Sequence, residues 1–446
     1  MNVNDPKQQV NAFLAKYKMH YNSIDIEKET ATFIEEMEKG LRGEDSSLKM
    51  LCTYLSPEGD IPAHEPVIAI DAGGTNFRVA VVHFNKERRA LIEEFKSYPM
   101  PGSNGEISRG EFFDTIVEYL EPVLDKSDRI GFCFSYPTEM LPNGDGKLIK
   151  FTKEVSVRDM PGVEIGSSLT KTISARRTTR PKKVVLLNDT VATLLGGKTA
   201  VPERRFESHI GFILGTGTNT CYIEENKNIF KTPTLPHEGS TIINIESGGY
   251  GKAPRGIIDE KFDRDTVDPG NQQFEKMISG AYQGSLLHEI MKKAIEEGLF
   301  SRQFDELMKS VHSISSWEIN DFCLYPYSEK NVLSKATNNK ITGNDSDRLV
   351  IYYLIDAFFE RAARLIAINL ASIMIKTGTG KNPCLPVCVA TEGTAFYKSK
   401  LFKGKLEYYV KNFMNDNMGI YCEFVKAEDA TLIGTAFAGL LNKDIT

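Results

Sequence analysis

The chain has 446 residues, of which 41% are hydrophobic and 26% charged, and its 54 basic and 60 acidic side chains give a formal charge of −6. This composition is typical of a soluble globular protein, and the length predicts two or three domains at roughly 100 to 200 residues each. Because Lys and Arg are not in excess over Asp and Glu, we expect no nucleic-acid partner.

Hydropathy and cysteine usage indicate an intracellular location. The longest apolar stretch, residues 365–375, contains Asn369 and is shorter than the roughly 20 residues that span a bilayer, so it predicts a buried helix and no membrane association. Residues 1–18 have no continuous apolar core, which argues against a signal peptide. The cysteines are odd in number and lack zinc-site spacing. We therefore expect reduced thiols and a cytoplasmic protein.

The first half of the chain predicts helices followed by two glycine-centred hairpins. Phe33, Met37 and Leu41 recur at helical spacing within the first fifty residues. Apolar strands then flank glycine-rich turns at residues 71–76 and again at 215–219. Further strands are predicted at 130–135 and 184–187, with a helix beginning at 191–195. Since strands and helices alternate, the fold class is α/β.

The second half is richer in helix. Residues 274–298 and 350–375 each predict one long helix from their apolar periodicity. The remaining predicted elements are a polar loop at 338–347, a strand at 388–390 leading into a turn at Gly393 and Thr394, and a C-terminal helix at 430–441.

Both glycine-rich turns have the chemistry of a phosphate site. Glycines let the backbone approach an anion and expose N–H groups to it, and Thr75 adds a hydroxyl donor, while Asp71 is placed to hold Mg²⁺ through water. A plain hairpin turn is the alternative for either motif, but two such turns in one chain favour a two-sided clamp on phosphates. A P-loop does not explain them, because neither Gly197-Lys198 nor Gly380-Lys381 follows a glycine at the required spacing.

Asp189 is the candidate general base. It follows the predicted strand 184–187 just where a helix begins, and open α/β sheets bind ligands at the carboxyl ends of their strands. A carboxylate there could take the proton from an attacking hydroxyl. The alternative is that Asn188, Asp189 and Thr190 simply cap the helix. A Rossmann dehydrogenase is disfavoured, because no Gly-x-Gly-x-x-Gly follows the first strand.

Taken together, these motifs resemble the hexokinases, the ATP-dependent sugar kinases of the actin-like fold. The resemblance covers nearly the whole chain in an ordered series of segments. These are residues 36–41, 47–51, 71–78, 131–137, 152–153, 188–191, 215–219, 244–246 and 275–280.

The resemblance implies a two-lobed, actin-like (ribonuclease-H-like) fold with a ligand cleft between a small and a large domain. Residues 1–60 would form an N-terminal helical segment packed on the large domain, which would comprise residues 206–429. Residues 61–205 would form the small domain, joined by a C-terminal helix at 430–446.

The resemblance also implies the site residues. The sugar pocket would consist of Ser135, Tyr136, Thr152, Lys153, Asn188, Asp189, Asn219, Glu246 and Glu275. The ATP site would consist of Asp71, Gly73, Gly74, Thr75, Asn76, Arg78, Gly215, Thr216, Gly217, Thr218, Gly393, Thr394 and Thr431. Asp189 would activate the 6-hydroxyl, Lys153 would offset charge on the transferred group, and Asp71 and Asp189 would hold Mg²⁺ through water.

The function implied is phosphoryl transfer from MgATP to the 6-hydroxyl of glucose or a related hexose by a monomer or homodimer. The sequence departs from the family pattern at Glu154, at Ser247 and in the C-terminal nucleotide motif, residues 428–436, which is usually rich in Gly and Ser. That last departure supports an alternative, a hexokinase-like sugar sensor with weak or no catalysis, although the intact Asp189 argues against it.

Overall fold

The computed structural model describes residues 5–151, 155–176, 180–338 and 345–441. Strands β1 to β13 span Leu51–Cys52, Val67–Gly73, Asn76–Phe84, Ala90–Pro99, Arg129–Phe134, Thr138–Met140, Gly146–Leu148, Lys183–Leu187, His209–Leu214, Thr218–Glu225, Ser240–Asn244, Val387–Glu392 and Cys422–Val425. Helices α1 to α15 span Pro6–Lys16, Ile26–Arg42, Arg109–Leu120, Ile165–Arg176, Asp189–Ala200, Ile257–Arg264, Gln273–Ile278, Gly280–Glu296, Arg302–Met308, Ser316–Leu324, Val332–Thr337, Ser346–Thr377, Thr394–Lys398, Phe402–Tyr409 and Ala430–Leu441.

The first sheet has the strand order β4-β3-β2-β5-β8. Strands β2, β5 and β8 run parallel, whereas β2 and β3 form the first predicted hairpin. The parallel register pairs Asp71 with Cys133, and Cys133 with Leu187. Because the carboxyl ends of parallel strands share one sheet edge, Asp71 and Asp189 are brought to the same edge.

The second sheet has the order β1-β11-β10-β9-β12-β13. Strands β9 and β10 form the second predicted hairpin, and β12 lies parallel to β9. This register pairs Ile213 with Asn219 on one side and with Glu392 on the other. Polar side chains from β10 and β12 are thereby placed at the turn end of the sheet.

Two helices, α5 and α15, pack between the sheets. α5 contacts β9 and β12 of the second sheet, while α15 contacts β2 and β5 of the first, and the two helices pack on each other. Their approach is close enough that a Cβ on Gly434 would stand 2.7 Å from the amide nitrogen of Gly196. Glycine at this crossing therefore fixes the position of α5, which begins with Asp189.

The long helix α12 lies within the hydrophobic core that packs on the second sheet. It covers the predicted helix at 350–375 and is buried along most of its length, with α1 and α2 packed on it. Among the described residues no helix is long and apolar enough to cross a membrane. All seven cysteines are free, in line with the expected thiols. The domain boundaries given above stay a prediction.

Residues 274–298 form parts of two helices, α7 and α8, where one was predicted. The single helix predicted at 274–298 is wrong, because Ser279 adopts an extended conformation between α7 and α8. The break lets the amides of Gly280 and Ala281 donate to the carbonyls of Gly215 and Thr216, at 2.8 and 3.0 Å. In the predicted polar loop, residues 339–344 lie outside the described part of the chain, and α12 already begins at Ser346.

Candidate active site

Asp189 stands at the first position of α5, at the carboxyl end of β8. The helix cap is Asn188, whose side chain accepts the Thr190 N–H at 2.9 Å. The Asp189 carboxylate also accepts that N–H, at 2.7 Å, and the Thr190 hydroxyl at 3.2 Å. Asn188 occupies the cap position of α5, and both Asn188 and Asp189 accept the first free backbone N–H. The Thr190 N–H and hydroxyl also orient the half-buried Asp189 carboxylate.

Asn219, Asn244 and Glu246 form a polar cluster at the ends of β10 and β11. Asn219 donates to Asn244 and Asn244 donates to Glu246, each at 2.8 Å, and the Asn219 amide also reaches Glu246 at 3.4 Å. Burial raises the pKa of Glu246, with Asp189 adding to the rise and the two amides opposing it. The backbone of Glu246 is left-handed, with φ 58°, a costly conformation for a non-glycine residue that is typical of functional sites.

Asn244 is not among the predicted site residues, although its spacing from Glu246 in the sequence could have indicated it. Asn244 and Glu246 are two residues apart at the end of a strand, and that spacing places both side chains on one face. The prediction selected only the carboxylate of this pair.

Glu275 lies beside the second glycine turn. Its Oε2 accepts the backbone N–H of Thr218 at 2.9 Å. The same oxygen lies 2.5 Å from where a Cβ on Gly217 would stand, so a side chain at residue 217 would displace the Glu275 carboxylate. Burial raises the pKa of Glu275, the Thr218 N–H lowers it and the nearby charge of Glu246 raises it. The break after α7 thus brings a carboxylate onto the phosphate-type turn.

The first glycine turn is built as the sequence predicts. Gly73 pairs with Asn76 across the hairpin, and Gly74 takes a positive φ of 64°. The Tyr136 hydroxyl donates to the Gly74 carbonyl at 3.0 Å, while Thr75 and Asn76 are exposed. Ser135 is also adjacent, since its Oγ lies 3.3 Å from the position of a Cβ on Gly73.

Acidic side chains converge at this edge of the first sheet. Asp71 is buried at the end of β2, with the exposed Arg78 guanidinium 3.5 Å from its carboxylate. Cys133 lies between Asp71 and Asp189, and its burial, reinforced by both carboxylates, raises its thiol pKa well above the ordinary value. This thiol is therefore protonated at neutral pH.

Glu392 is a further candidate site residue, absent from the sequence prediction. It ends β12, accepts the Thr431 hydroxyl at 3.0 Å, and has a pKa raised by burial, an effect that Thr431 opposes and that Asp71 and Asp189 reinforce. The turn that follows is tight, because Gly393 has φ 114° and a Cβ there would stand 2.7 Å from the Gly215 amide. The available signal was a carboxylate at the carboxyl end of a predicted strand.

Other predicted site residues are placed as follows. Thr216 and Thr394 are exposed at the mouths of their turns. Thr152 and Lys153 lie outside the described residues, so their roles stay predictions. No group of three His, Cys, Asp or Glu side chains in the described part of the chain could by itself hold a metal ion.

Comparison with known proteins identifies the family. Two family models, both described as hexokinase, match residues 10–199 and 209–441. Hexokinase-5 of Oryza sativa subsp. japonica is 31% identical over 432 residues, which cover 90% of this chain and 83% of that protein. The chain belongs to the hexokinase family. The family expected from the sequence motifs is therefore confirmed, and membership makes the protein a hexose kinase.

Other hexokinases differ in how much of their length the chain covers. Hexokinase-1 of Schizosaccharomyces pombe is 28% identical, with 93% of this chain and 87% of that protein aligned. Human hexokinase-3 is 29% identical over 86% of this chain, but the match spans 42% of its own length. This chain thus corresponds to less than half of that longer relative.

Solved hexokinase structures confirm the fold. The hexokinase from Schistosoma mansoni complexed with glucose aligns with a TM-score of 0.75 at 24% identity, covering 98% of this chain and 99% of that one. A glucokinase from an Antarctic psychrotroph aligns over 84% of this chain with a TM-score of 0.52. The expected two-lobed, actin-like α/β architecture is therefore correct.

Proposed function

We propose that this member of the hexokinase family transfers the γ-phosphoryl group of MgATP to the 6-hydroxyl of a hexose, with Asp189 as general base. The observation that carries the proposal is the position of Asp189. Asp189 begins α5 at the carboxyl end of β8, and its charge adds to the rise that burial gives the pKa of Glu246 and of Glu392. Asp189 is therefore within electrostatic reach both of the polar cluster proposed for the sugar and of a carboxylate beside the turns proposed for the nucleotide.

The polar cluster suits a sugar. Each ring hydroxyl both donates and accepts a hydrogen bond, so carboxylates combined with amides can fix the ring and its orientation. Asn219, Glu246 and Glu275 offer such groups, and Asn188 and Ser135 extend the set toward Asp189. Glucose is the first candidate, because a hexokinase of the same fold is described as complexed with glucose.

The chemistry follows from that placement. Asp189 accepts the proton of the 6-hydroxyl as the hydroxyl oxygen attacks the γ-phosphorus in line; the bond from that phosphorus to the β,γ-bridging oxygen breaks and ADP leaves, with no phosphoenzyme intermediate. Backbone N–H groups of the two glycine turns, residues 73–76 and 215–218, hold the phosphates. Lys153 offsets charge on the transferred group in this scheme. Closure of the lobes over the sugar would exclude water and so protect ATP from hydrolysis.

Mg²⁺ fits the donors present. Asp71, Asp189 and Glu392 supply hard carboxylate oxygens within mutual electrostatic reach, and Mg²⁺ prefers oxygen ligands, often one or two carboxylates with waters and substrate phosphates. The lack of a complete protein cage among the described residues accords with that mode. When bound, the ion would neutralise charge on the β and γ phosphates, with Asp71 and Asp189 holding it through water.

A coupled assay of ADP release tests the proposal. The purified chain is assayed with MgATP against glucose, fructose, mannose, N-acetylglucosamine, glycerol and acetate. We expect turnover only with hexoses, and identification of the product as the 6-phosphate by ³¹P NMR, in which the phosphorus couples to the two protons on C6. Sugar binding without any turnover would instead establish the alternative, a sugar sensor, and direct attention to the altered stretch at 430–434.

A further inference from the structure

Glu275 contacts the nucleotide side of the site as well as the proposed sugar side. Its Oε2 accepts the N–H of Thr218 at 2.9 Å and lies 2.5 Å from where a Cβ on Gly217 would stand. Both residues belong to the turn 215–218, which we propose holds phosphate. A carboxylate is therefore seated on that turn.

A carboxylate in this position interferes with phosphate binding in two ways. Backbone N–H groups of a glycine turn are the donors that an anion requires, and the Thr218 N–H is already engaged. A phosphate arriving at the turn would also meet the negative charge of Glu275 at close range in a partly buried setting, where charge repulsion is strong. The chain thus carries its own anion at a site proposed for the nucleotide.

A sugar would change this arrangement, because its hydroxyls are hydrogen-bond donors. We propose that Glu275 couples the two halves of the site: with no sugar it blocks the turn 215–218, and a bound sugar, by donating hydroxyls to its carboxylate, draws it away from the Thr218 N–H and opens the turn to phosphate. The inference rests on the proposed function, which makes Glu275 a sugar ligand. By linkage, bound nucleotide strengthens sugar binding by the same factor.

Glu246 provides a matched control. It is the other carboxylate proposed as a sugar ligand, but its described hydrogen bonds run to Asn244 and Asn219 rather than to the turn. Glu246→Ala therefore removes a sugar ligand while leaving the Thr218 N–H engaged by Glu275. Any effect confined to Glu275→Ala then reports the contact with the turn and not the loss of sugar contacts.

Calorimetry with the imido analogue of ATP and Mg²⁺ tests the coupling, with and without 6-deoxyglucose, which keeps its ring hydroxyls but lacks the 6-hydroxyl that accepts the phosphoryl group. Without sugar, we expect Glu275→Ala to bind the analogue about tenfold more tightly than wild type, the size expected from one charge-assisted hydrogen bond. Glu246→Ala, which leaves the Thr218 N–H engaged by Glu275, should change the affinity much less than Glu275→Ala does. In Glu275→Ala, added sugar should no longer strengthen nucleotide binding, whereas it should in wild type. Unchanged or weaker binding by folded Glu275→Ala would overturn the proposal.

Two further measurements keep the outcome decisive. Glu275→Gln preserves the size of the side chain and removes its charge; if the alanine variant does not fold, this variant should still bind the analogue roughly threefold more tightly, because a neutral acceptor bonds the N–H less strongly. Turnover of wild type with hexoses is measured in parallel. Normal turnover with no tightening in either Glu275 variant refutes the coupling alone, whereas absent turnover refutes the proposed function.

Discussion

The packing of α5 against α15 makes Gly434→Ala the most informative structural perturbation. A Cβ at residue 434 would stand 2.7 Å from the Gly196 amide nitrogen and closer still to the Ala192 carbonyl oxygen, whereas ordinary contact begins at 3.4 Å. The atoms in the way are backbone, and the nearest of them, the Ala192 carbonyl oxygen, would stand 1.8 Å from the Cβ, so the helices must separate by about 1.6 Å instead of one side chain rotating aside. Overpacking of this kind costs roughly 1–3 kcal/mol, and here we expect the upper end.

Part of that cost is offset, since Ala is favoured over Gly in a helix by about 1 kcal/mol. We therefore expect Gly434→Ala to lower the free energy of unfolding by about 2 kcal/mol. Gly404→Ala is the matched control: Gly404 is exposed in α14 with nothing within 4 Å of its Cβ position, so this change should stabilise the protein by up to about 1 kcal/mol.

Urea unfolding followed by circular dichroism measures both variants. Because α5 begins with Asp189, its displacement should also reduce turnover, and a misplacement of 1 Å can cost roughly 100-fold. The reasoning is refuted if Gly434→Ala is as stable and as active as wild type, since the glycine crossing would then not fix α5.

Three other predictions follow from single contacts. Burial raises the pKa of Glu275 above its ordinary value of 4.5. The stabilisation that the protonated Glu275 gives the folded protein is therefore complete below pH 4.5 and is lost as the pH rises through the folded-state pKa. The melting temperature of Glu275→Gln should exceed that of wild type near pH 7 and equal it near pH 4. The side chain of Lys276 is 2% exposed and lies between two carboxylates, so Lys276→Met should lower the free energy of unfolding in urea by about 3–5 kcal/mol. The control is Lys309→Met, at a site 60% exposed, which should change the free energy of unfolding by under about 0.5 kcal/mol. Equal effects of the two substitutions would contradict this prediction. Thr431→Val removes a hydroxyl donor from Glu392 and should raise the KM for ATP about tenfold while leaving the KM for sugar unchanged. Initial-rate kinetics with each substrate varied in turn measures both constants.

Local features of the fold could be predicted from sequence because their causes are local. The hairpins at residues 67–84 and 209–225 are visible as apolar strands around glycine turns, and the helix predicted from residue 430 begins there and continues to the last described residue, Leu441. The break at Ser279 was not predictable in the same way. It depends on amides of residues 280 and 281 bonding to the turn carbonyls of residues 215 and 216, which are distant in sequence.

In the candidate site too, residue identities could be predicted from sequence, whereas the contacts between residues distant in the chain could not. The identities of Asn219, Glu246 and Glu275 came from resemblance, but their meeting depends on the pairing of β10 with β11 and on the position of α7. Glu392 is not predicted, because the glycine turn that follows it is the more conspicuous motif, although its place at a strand end is a usable signal. The charge relation of Glu392 to Asp71 and Asp189 arises only when the two sheets pack around α5.

The central claim is that Asp189 removes the proton from the sugar hydroxyl, and the most direct measurement is kcat of Asp189→Ala beside sugar affinity by calorimetry. General-base catalysis contributes roughly 10²- to 10⁴-fold. The account predicts a loss of kcat in that range while the variant still binds sugar. Near-normal kcat in a variant that binds sugar would contradict it and assign the proton to another group.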